Sequence, residues 1–317
     1  MKKGETGGFE NAVGYKENGL NIKIIIPATT ANLGPGFDTL GAAVKLYNEI
    51  HISSGPAQCI AVEGEGAGVL PTDKSNIVWQ SMTKILGKKY PFGSLRIRLI
   101  NRIPLSAGLG SSAAARLGGL LAAYAVTGKK YTPAELLAIG VRLEGHPDNI
   151  VPALVGGICA AVDGPSISFV RLNPPPLQAV ICQPAFELPT KEARRVLPRQ
   201  VPIEDAVYNI SRTALFMAAI TARRYDCLPI AMDDCLHQPY RKKLIVGLDE
   251  VFAAARKKGA YGAAISGAGP SVIALTNRST AAAVGKAMQA AWKKRSIASR
   301  VFILDFDLRG ARVLKTR

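Results

Sequence analysis

The sequence is poor in the residues that staple or metallate small domains. Among 317 residues there are five cysteines and three histidines. The cysteines (Cys59, Cys159, Cys182, Cys227 and Cys235) form no C-x-x-C pair and have no histidine at metal-ligand spacing, which argues against a structural zinc site. An odd number of scattered thiols without a signal peptide points to reduced cysteines in a cytoplasmic protein. Long apolar runs are also missing. The best candidates are broken by glycine, proline or arginine, as around 150–162, so no membrane span is expected. The first 21 residues, MKKGETGGFENAVGYKENGLN, lack the apolar stretch of a secretory signal, and their acidic residues disfavour an organelle transit peptide. They read as a mobile, solvated N-terminus.

Acidic residues are in deficit: 23 Asp+Glu against 40 Lys+Arg leave a net charge of +17. The basic residues come in twos and threes, as at Lys88-Lys89, Arg194-Arg195 and Lys242-Lys243, neither gathered into one arm nor interleaved with aromatics. That pattern suits a solvated surface that attracts phosphorylated ligands, and no nucleic-acid partner is expected.

What remains is an ordinary globular composition, 48% hydrophobic and 20% charged, in a chain long enough for two domains. The β-branched run 21–27 reads as a buried strand, followed by a turn-rich stretch before strand character returns at 45–53, with 58–64 as its candidate partner. A helix is expected over 75–86, capped by Ser75 or Asp73, and a half-buried strand over the alternating LRIRLIN, 95–101. Further helices are expected over 113–126, closed by Gly128, and from Thr132-Pro133 to about Val141. Strands follow at 156–162 and 167–172. Asn173 and three prolines make a stiff linker. Beyond it, strands at 177–181, 260–266, 271–276 and 299–306 mix with helices at 206–222, 244–258 and 280–294, an α+β pattern. The expected domains are 22–172 and 173–317, after the N-terminal 1–21.

Three glycine loops carry the functional signal. IPLSAGLGSSAAA, 103–115, joins a strand to a helix. Glycines there let a phosphate approach the unpaired N–H groups and positive dipole end of the helix, and serine hydroxyls can bond phosphate or Mg²⁺. It is neither the common P-loop nor the dinucleotide fingerprint, lacking G-K-[ST] and the third glycine. ANLGPGFDTLG (31–41) and GAAISGAGPSVIAL (262–275) are similar loops, each also compatible with a simple turn taken alone.

Pro104 to Ala113 resembles the phosphate loop of the GHMP small-molecule kinases, and the other two loops resemble that family's first and third motifs in order and spacing. PATTANLGPGFDTLG (27–41), EGHPDNIVPALVGG (144–157), YNISRTALF (208–216), HQPYRKKLI (237–245) and YGAAISGAGPS (261–271) are similar to its homoserine kinase members. The resemblance implies a two-domain α+β GHMP fold, an N-terminal ribosomal-protein-S5-like domain and a C-terminal ferredoxin-like domain. It implies ATP on Pro104, Ser106, Ala107, Gly108, Leu109, Gly110, Ser111, Ser112 and Ala113, with Mg²⁺ held by Ser112 and Glu144. For L-homoserine as substrate, Asp38 would take the amino group and Arg212 and Arg241 the carboxylate. Asn32, His146 and Asn149 would position the hydroxyl, and Gly267 would line the site. The hydroxyl proton would pass to the transferring phosphate; Asp148 is the nearby carboxylate that could act as base instead. A homodimer is expected. The alternatives are another GHMP kinase, acting on an isoprenoid precursor or a sugar, and a non-catalytic regulator on the same fold.

Overall fold

The structure, a computed structural model, describes residues 20–55 and 60–315. The N-terminal 1–19, Gln58 and Cys59 lie outside them.

Two antiparallel strands organise the first half. β1 (Asn21–Asn32) and β2 (Gly36–Ser54) pair along their whole length. The turn-rich stretch is therefore strand on both sides of a short turn, Asn32 pairing with Gly36. Pro27 stands where the register shifts, between Pro27 and Ala28, an irregularity at which strands tolerate proline. β2 is long enough to pair with β4 (Leu95–Asn101) at one end and with β5 (Ile158–Val162) at the other. β3 (Ile60–Gly64) pairs parallel with β4, not with β2 as its sequence position suggested. β6 (Ser168–Leu172) adds to β5. β11 (Arg312–Lys315) completes this seven-stranded sheet by pairing with β1. The chain's tail thus leaves the second half and returns to the first sheet, a crossing that the sequence reading of 173–317 did not contain.

Helices α1 (Ile77–Leu86), α2 (Ser111–Thr127), α3 (Pro133–Glu144) and α4 (Pro147–Val155) accompany the sheet. α1 starts two residues later than expected because Asn76, not Ser75 or Asp73, is the cap: its side chain accepts from Val78 N. Thr132 and Glu135 form a capping box on α3, and Gly128 closes α2 in the left-handed region. α4 was not anticipated. Two of its nine residues are proline, yet Pro147 sits in the first turn, where no N–H is needed. Pro152 leaves the carbonyl of Asp148 without its helical donor, and the backbone of Gly41 packs against that oxygen, where a Cβ would come within 1.7 Å.

The second half builds a four-stranded antiparallel sheet in the order β10 (Ser299–Leu304), β7 (Gln178–Pro184), β9 (Val272–Thr276), β8 (Gly262–Ile265). α9 (Leu248–Lys257) and α10 (Ala281–Lys294) pack on it around Trp292, Met288 and Val251. α6 (Ile203–Ala222) and the short helices α5 (Thr190–Arg195), α7 (Leu228–Ala231) and α8 (Gln238–Arg241) fill the side that meets the first half. One continuous apolar core runs from Ile24 and Leu117 in the first half to Phe216 and Ile273 in the second. The four described cysteines are free, and burial pushes the Cys159 and Cys182 thiols up to about 12. Among the described residues no helix is long and apolar enough to cross a membrane.

Candidate active site

The three glycine loops converge. Gly108 and Gly110 have φ of +73° and +68°, so the loop after β4 needs glycine twice before α2 begins. Space demands it too: a Cβ on Gly108 would lie 2.0 Å from Ser266 O, and one on Gly110 1.9 Å from Thr29 Oγ1. Ser266 Oγ donates to Gly108 O at 2.7 Å, locking the third loop onto the first turn of the phosphate loop. No side chain caps α2, so its N-terminal amides are left for a ligand.

A cavity of about 170 Å³ opens at this junction. It is lined by Pro104, Ser106 to Ser112, Glu144, His146, Asp148, Asn149, Asn32, Asp38, Arg241 and Gly267. Those are nearly all the residues anticipated from sequence. Ala113 lies behind the loop, fully buried. A second cavity, of about 340 Å³, shares Ser106, Ser111 and Ser112 with the first and is walled by Ile26, Ile50, Leu70, Ile77, Leu99 and Leu105. An apolar slot beside a phosphate-type loop suits a flat heterocyclic base.

Arg212 is the exception. It stacks on Tyr208, 3.1 Å from the ring centroid, and bonds Tyr208 O and Ser211 Oγ, away from the cavity. The inward face of α6 carries Asn209 and Thr213, which both donate to Pro35 O. Arg212, one residue off that i,i+4 row, is rotated away. Beside Arg241, the other arginine lining the first cavity is Arg194, at the end of α5, which the sequence reading left among the solvated basic pairs. Its guanidinium holds Asp38 by Nη2–Oδ1 at 2.6 Å and Nη1–Oδ2 at 3.0 Å. Burial lowers the Arg194 pKa, but the bond and charge of Asp38 outweigh it and the net direction is up.

Asp38 lies at the start of β2, just past a strained turn: Asn32, Leu33 and Asp38 have φ of 69°, 48° and 54°. Such positions cost roughly 1–2 kcal/mol each. Asn32 offsets part of this, accepting from Asp38 N at 3.1 Å and donating to Gly267 O at 2.8 Å. Its amide is thereby committed to the turn, while its position still lines the cavity. Opposite stands the N-terminus of α4. His146 Nδ1 bonds Asp148 Oδ1, Asn149 Nδ2 donates to the same oxygen at 3.3 Å, and Thr29 Oγ1 donates to Asn149 Oδ1 at 2.7 Å. Burial pulls the His146 pKa down, but Asp148 outweighs it and the net direction is up. Asp38, His146 and Asp148 bring ligand atoms within 4.8 Å of one another, an anionic corner for a cation.

Ser112 Oγ donates to Glu144 Oε2 at 3.0 Å, and Arg116 Nε lies on the same oxygen at 2.8 Å. A hydroxyl and a carboxylate at the phosphate loop are hard donors suited to Mg²⁺, and the guanidinium already marks the place of a cation. Arg116, four residues after Ser112 on α2, was not foreseen. Arg241 is buried to 1% exposure, and its pKa falls to about 10 through burial first and the charge of Arg194 second.

Comparison with known proteins agrees with this layout. Residues 76–157 match the GHMP kinases N terminal domain, and residues 216–294 match GHMP kinases C terminal. A homoserine kinase of Carboxydothermus hydrogenoformans is 42% identical over 294 residues, 92% of this chain and 96% of the relative. One from Moorella thermoacetica is 45% identical over 275 residues, 86% and 93% of the two chains. The crystal structure of homoserine kinase from Cytophaga hutchinsonii superposes with a TM-score of 0.84 at 31% identity, covering 96% of this chain and all of that one. A phosphate loop built from glycines at positive φ, a two-domain α+β fold and identities above 40% along nearly the whole chain lead to one assignment: the chain belongs to the homoserine kinase family of GHMP kinases.

Proposed function

We propose that the protein transfers the γ-phosphoryl group of ATP to the side-chain hydroxyl of L-homoserine, giving O-phospho-L-homoserine and ADP, a step of threonine biosynthesis. The observation that carries this reading is the pairing, in one cavity beside the phosphate loop, of a carboxylate corner with two arginines: Asp38, His146 and Asp148 against Arg194 and Arg241. A zwitterion needs both signs, held apart. An isoprenoid alcohol has no ammonium for Asp38, and a sugar has neither charge.

In this reading the ATP phosphates lie on residues 104–112 at the start of α2, and the base enters the neighbouring apolar slot. Ser112 and Glu144 would hold Mg²⁺, which neutralises phosphate charge when bound. Asp38 takes the substrate ammonium, while Arg194 and Arg241 take its carboxylate, a planar anion suited to guanidinium. Asn149 and His146 direct the hydroxyl. A bond forms from its oxygen to the γ-phosphorus as the bridge to the β-phosphate breaks, and the proton leaves with the transferred phosphoryl group. Positioning and charge neutralisation suffice for such a loose transition state, without a strong base. We assign the protein to the cytoplasm and to a homodimer as part of the same proposal.

ADP release, followed with homoserine, mevalonate, galactose and shikimate, tests the reading. Turnover with homoserine at least about a hundredfold above the others is the expected result, and preference for another acceptor overturns it.

A further inference from the structure

His237 stands in the HQPYRKKLI stretch yet has no role in the reaction so far. It is fully buried, and Phe37 stacks on its ring at 5.3 Å and 28°. Nε2 lies 2.7 Å from Gly34 O, and Nδ1 lies 3.1 Å from Arg241 Nη1. A carbonyl only accepts and a guanidinium only donates, so a single protonation state satisfies both: the neutral ring with hydrogen on Nε2. The main chain around it is fixed by Asp234, which accepts from His237 N at 3.0 Å and Gln238 N at 2.6 Å.

This ring joins two parts of the substrate site. On one side it completes the set of acceptors that orients Arg241, with Ala193 O on Nε at 3.1 Å and Gly267 O on Nη1 at 3.0 Å. Nη2 makes no hydrogen bond among the described residues and is left for a ligand. On the other side it holds Gly34, in the strained turn that leads to Asp38.

We propose that His237 is a positioning residue: its neutral imidazole aligns Arg241 with the turn that leads to Asp38, fixing the separation of the cation and anion that receive the amino-acid substrate. The inference rests on the assignment of Arg241 to the substrate carboxylate.

The amide of H237N falls near Nδ1 and can still accept from Arg241. The amide of H237Q falls near Nε2, keeping the Gly34 bond and leaving Arg241 without its acceptor. H237Q is expected to raise KM for homoserine about tenfold or more, with KM for ATP unchanged and kcat within a few-fold. H237N is expected to recover most of that loss. Equal damage from both variants, or equal shifts for ATP and homoserine, means a merely structural histidine and overturns the proposal. R241A, run in parallel, separates the two readings. If R241A leaves KM for homoserine unchanged, the Arg241 assignment fails. If R241A weakens homoserine and H237Q does not, the His237 proposal alone fails. Imidazole ¹⁵N spectra of the wild-type protein give a readout independent of variant folding: a neutral Nε2–H ring at neutral pH is expected, and an Nδ1–H or doubly protonated ring overturns the proposal.

Discussion

Arg194 and Asp38 close a two-pronged ion pair between the end of α5 and the start of β2. Each is the group that a zwitterionic substrate would seek, so the site is satisfied by itself before ligand arrives. In the proposed binding mode, one partly exposed ion pair would be exchanged for two contacts with the ligand. It keeps Asp38 oriented while the site is empty.

Arg194→Met is therefore expected to raise KM for homoserine by about 10- to 100-fold, through one charge-assisted bond left unmade, with little change for ATP. Steady-state kinetics with each substrate varied in turn check this. An equal loss for both substrates would assign Arg194 to the phosphates.

The two arginines named from sequence are expected to behave differently from one another. Arg241→Ala should weaken homoserine about tenfold or more, because Arg241 is buried and lines the cavity. Arg212→Ala should leave KM for homoserine within about threefold, because its guanidinium stacks on Tyr208 and lies outside the cavity. A large homoserine effect from Arg212→Ala would place that residue in the site after all.

Both successes and failures of the sequence reading have physical causes. The phosphate loop was legible because its glycines answer a local demand, φ near +70° at Gly108 and Gly110, that a single chain segment expresses by itself. The long β1–β2 pair was not legible: its turn-forming residues serve bulges and a left-handed turn inside a strand pairing, and only the partner strand reveals that. α4 was hidden by two prolines: Pro147 falls in the first turn, where no N–H is needed, and the Asp148 carbonyl that Pro152 leaves without a helical donor lies against the backbone of Gly41 on β2, far away in sequence. Arg194 carries no signature beyond a basic pair, and Arg212 lies in a family-like segment but is turned outside the cavity, one residue off the Asn209–Thr213 row. Side-chain direction on a helix is decided by packing, which a motif does not contain.

Glu144→Gln is expected to lose most turnover while keeping the fold, because one hard anionic oxygen at the phosphate loop disappears. The same change also frees Arg116 from its ion pair. Turnover against Mg²⁺ concentration, with circular dichroism for the fold, decides. Near-normal kcat at saturating Mg²⁺ would remove Glu144 from the metal site.

Away from the site, Glu49 makes the first sheet sensitive to acid. The hydrogen bond from Lys23, with smaller help from His51 and Arg102 and against burial, moves its pKa from 4.5 to about 2. A folded-state pKa below the unfolded value adds stability that is complete above the unfolded pKa and is lost as pH falls through the folded one. Allowing for the exposure of Lys23 and Arg102, the contribution is about 1–2 kcal/mol. Urea unfolding of wild type and Glu49→Gln should differ by that amount at pH 7 and converge near pH 2. A constant gap across that range would assign the effect to packing.

The proton's route is the final question, and Asp148 is where it is decided. A true general base contributes about 10²–10⁴-fold. Asp148 is buried to 2%, at the second position of α4, and its Oδ1 is shared by His146 and Asn149. That is the geometry of a residue that aims its neighbours: Thr29 and Asp148 between them fix the Asn149 amide beside the phosphate loop. Asp148→Asn keeps an oxygen that can accept both bonds. It is expected to retain activity within about 10²-fold, with the kcat–pH profile unchanged in shape. Asn149→Ala removes an amide that lines the cavity and, in the proposed mode, should lower kcat more than it weakens ATP, since aligning the hydroxyl matters most near the transition state. A folded Asp148→Asn protein slowed by about 10³-fold or more, with an altered pH profile, would falsify proton transfer to the phosphoryl group and make Asp148 the base.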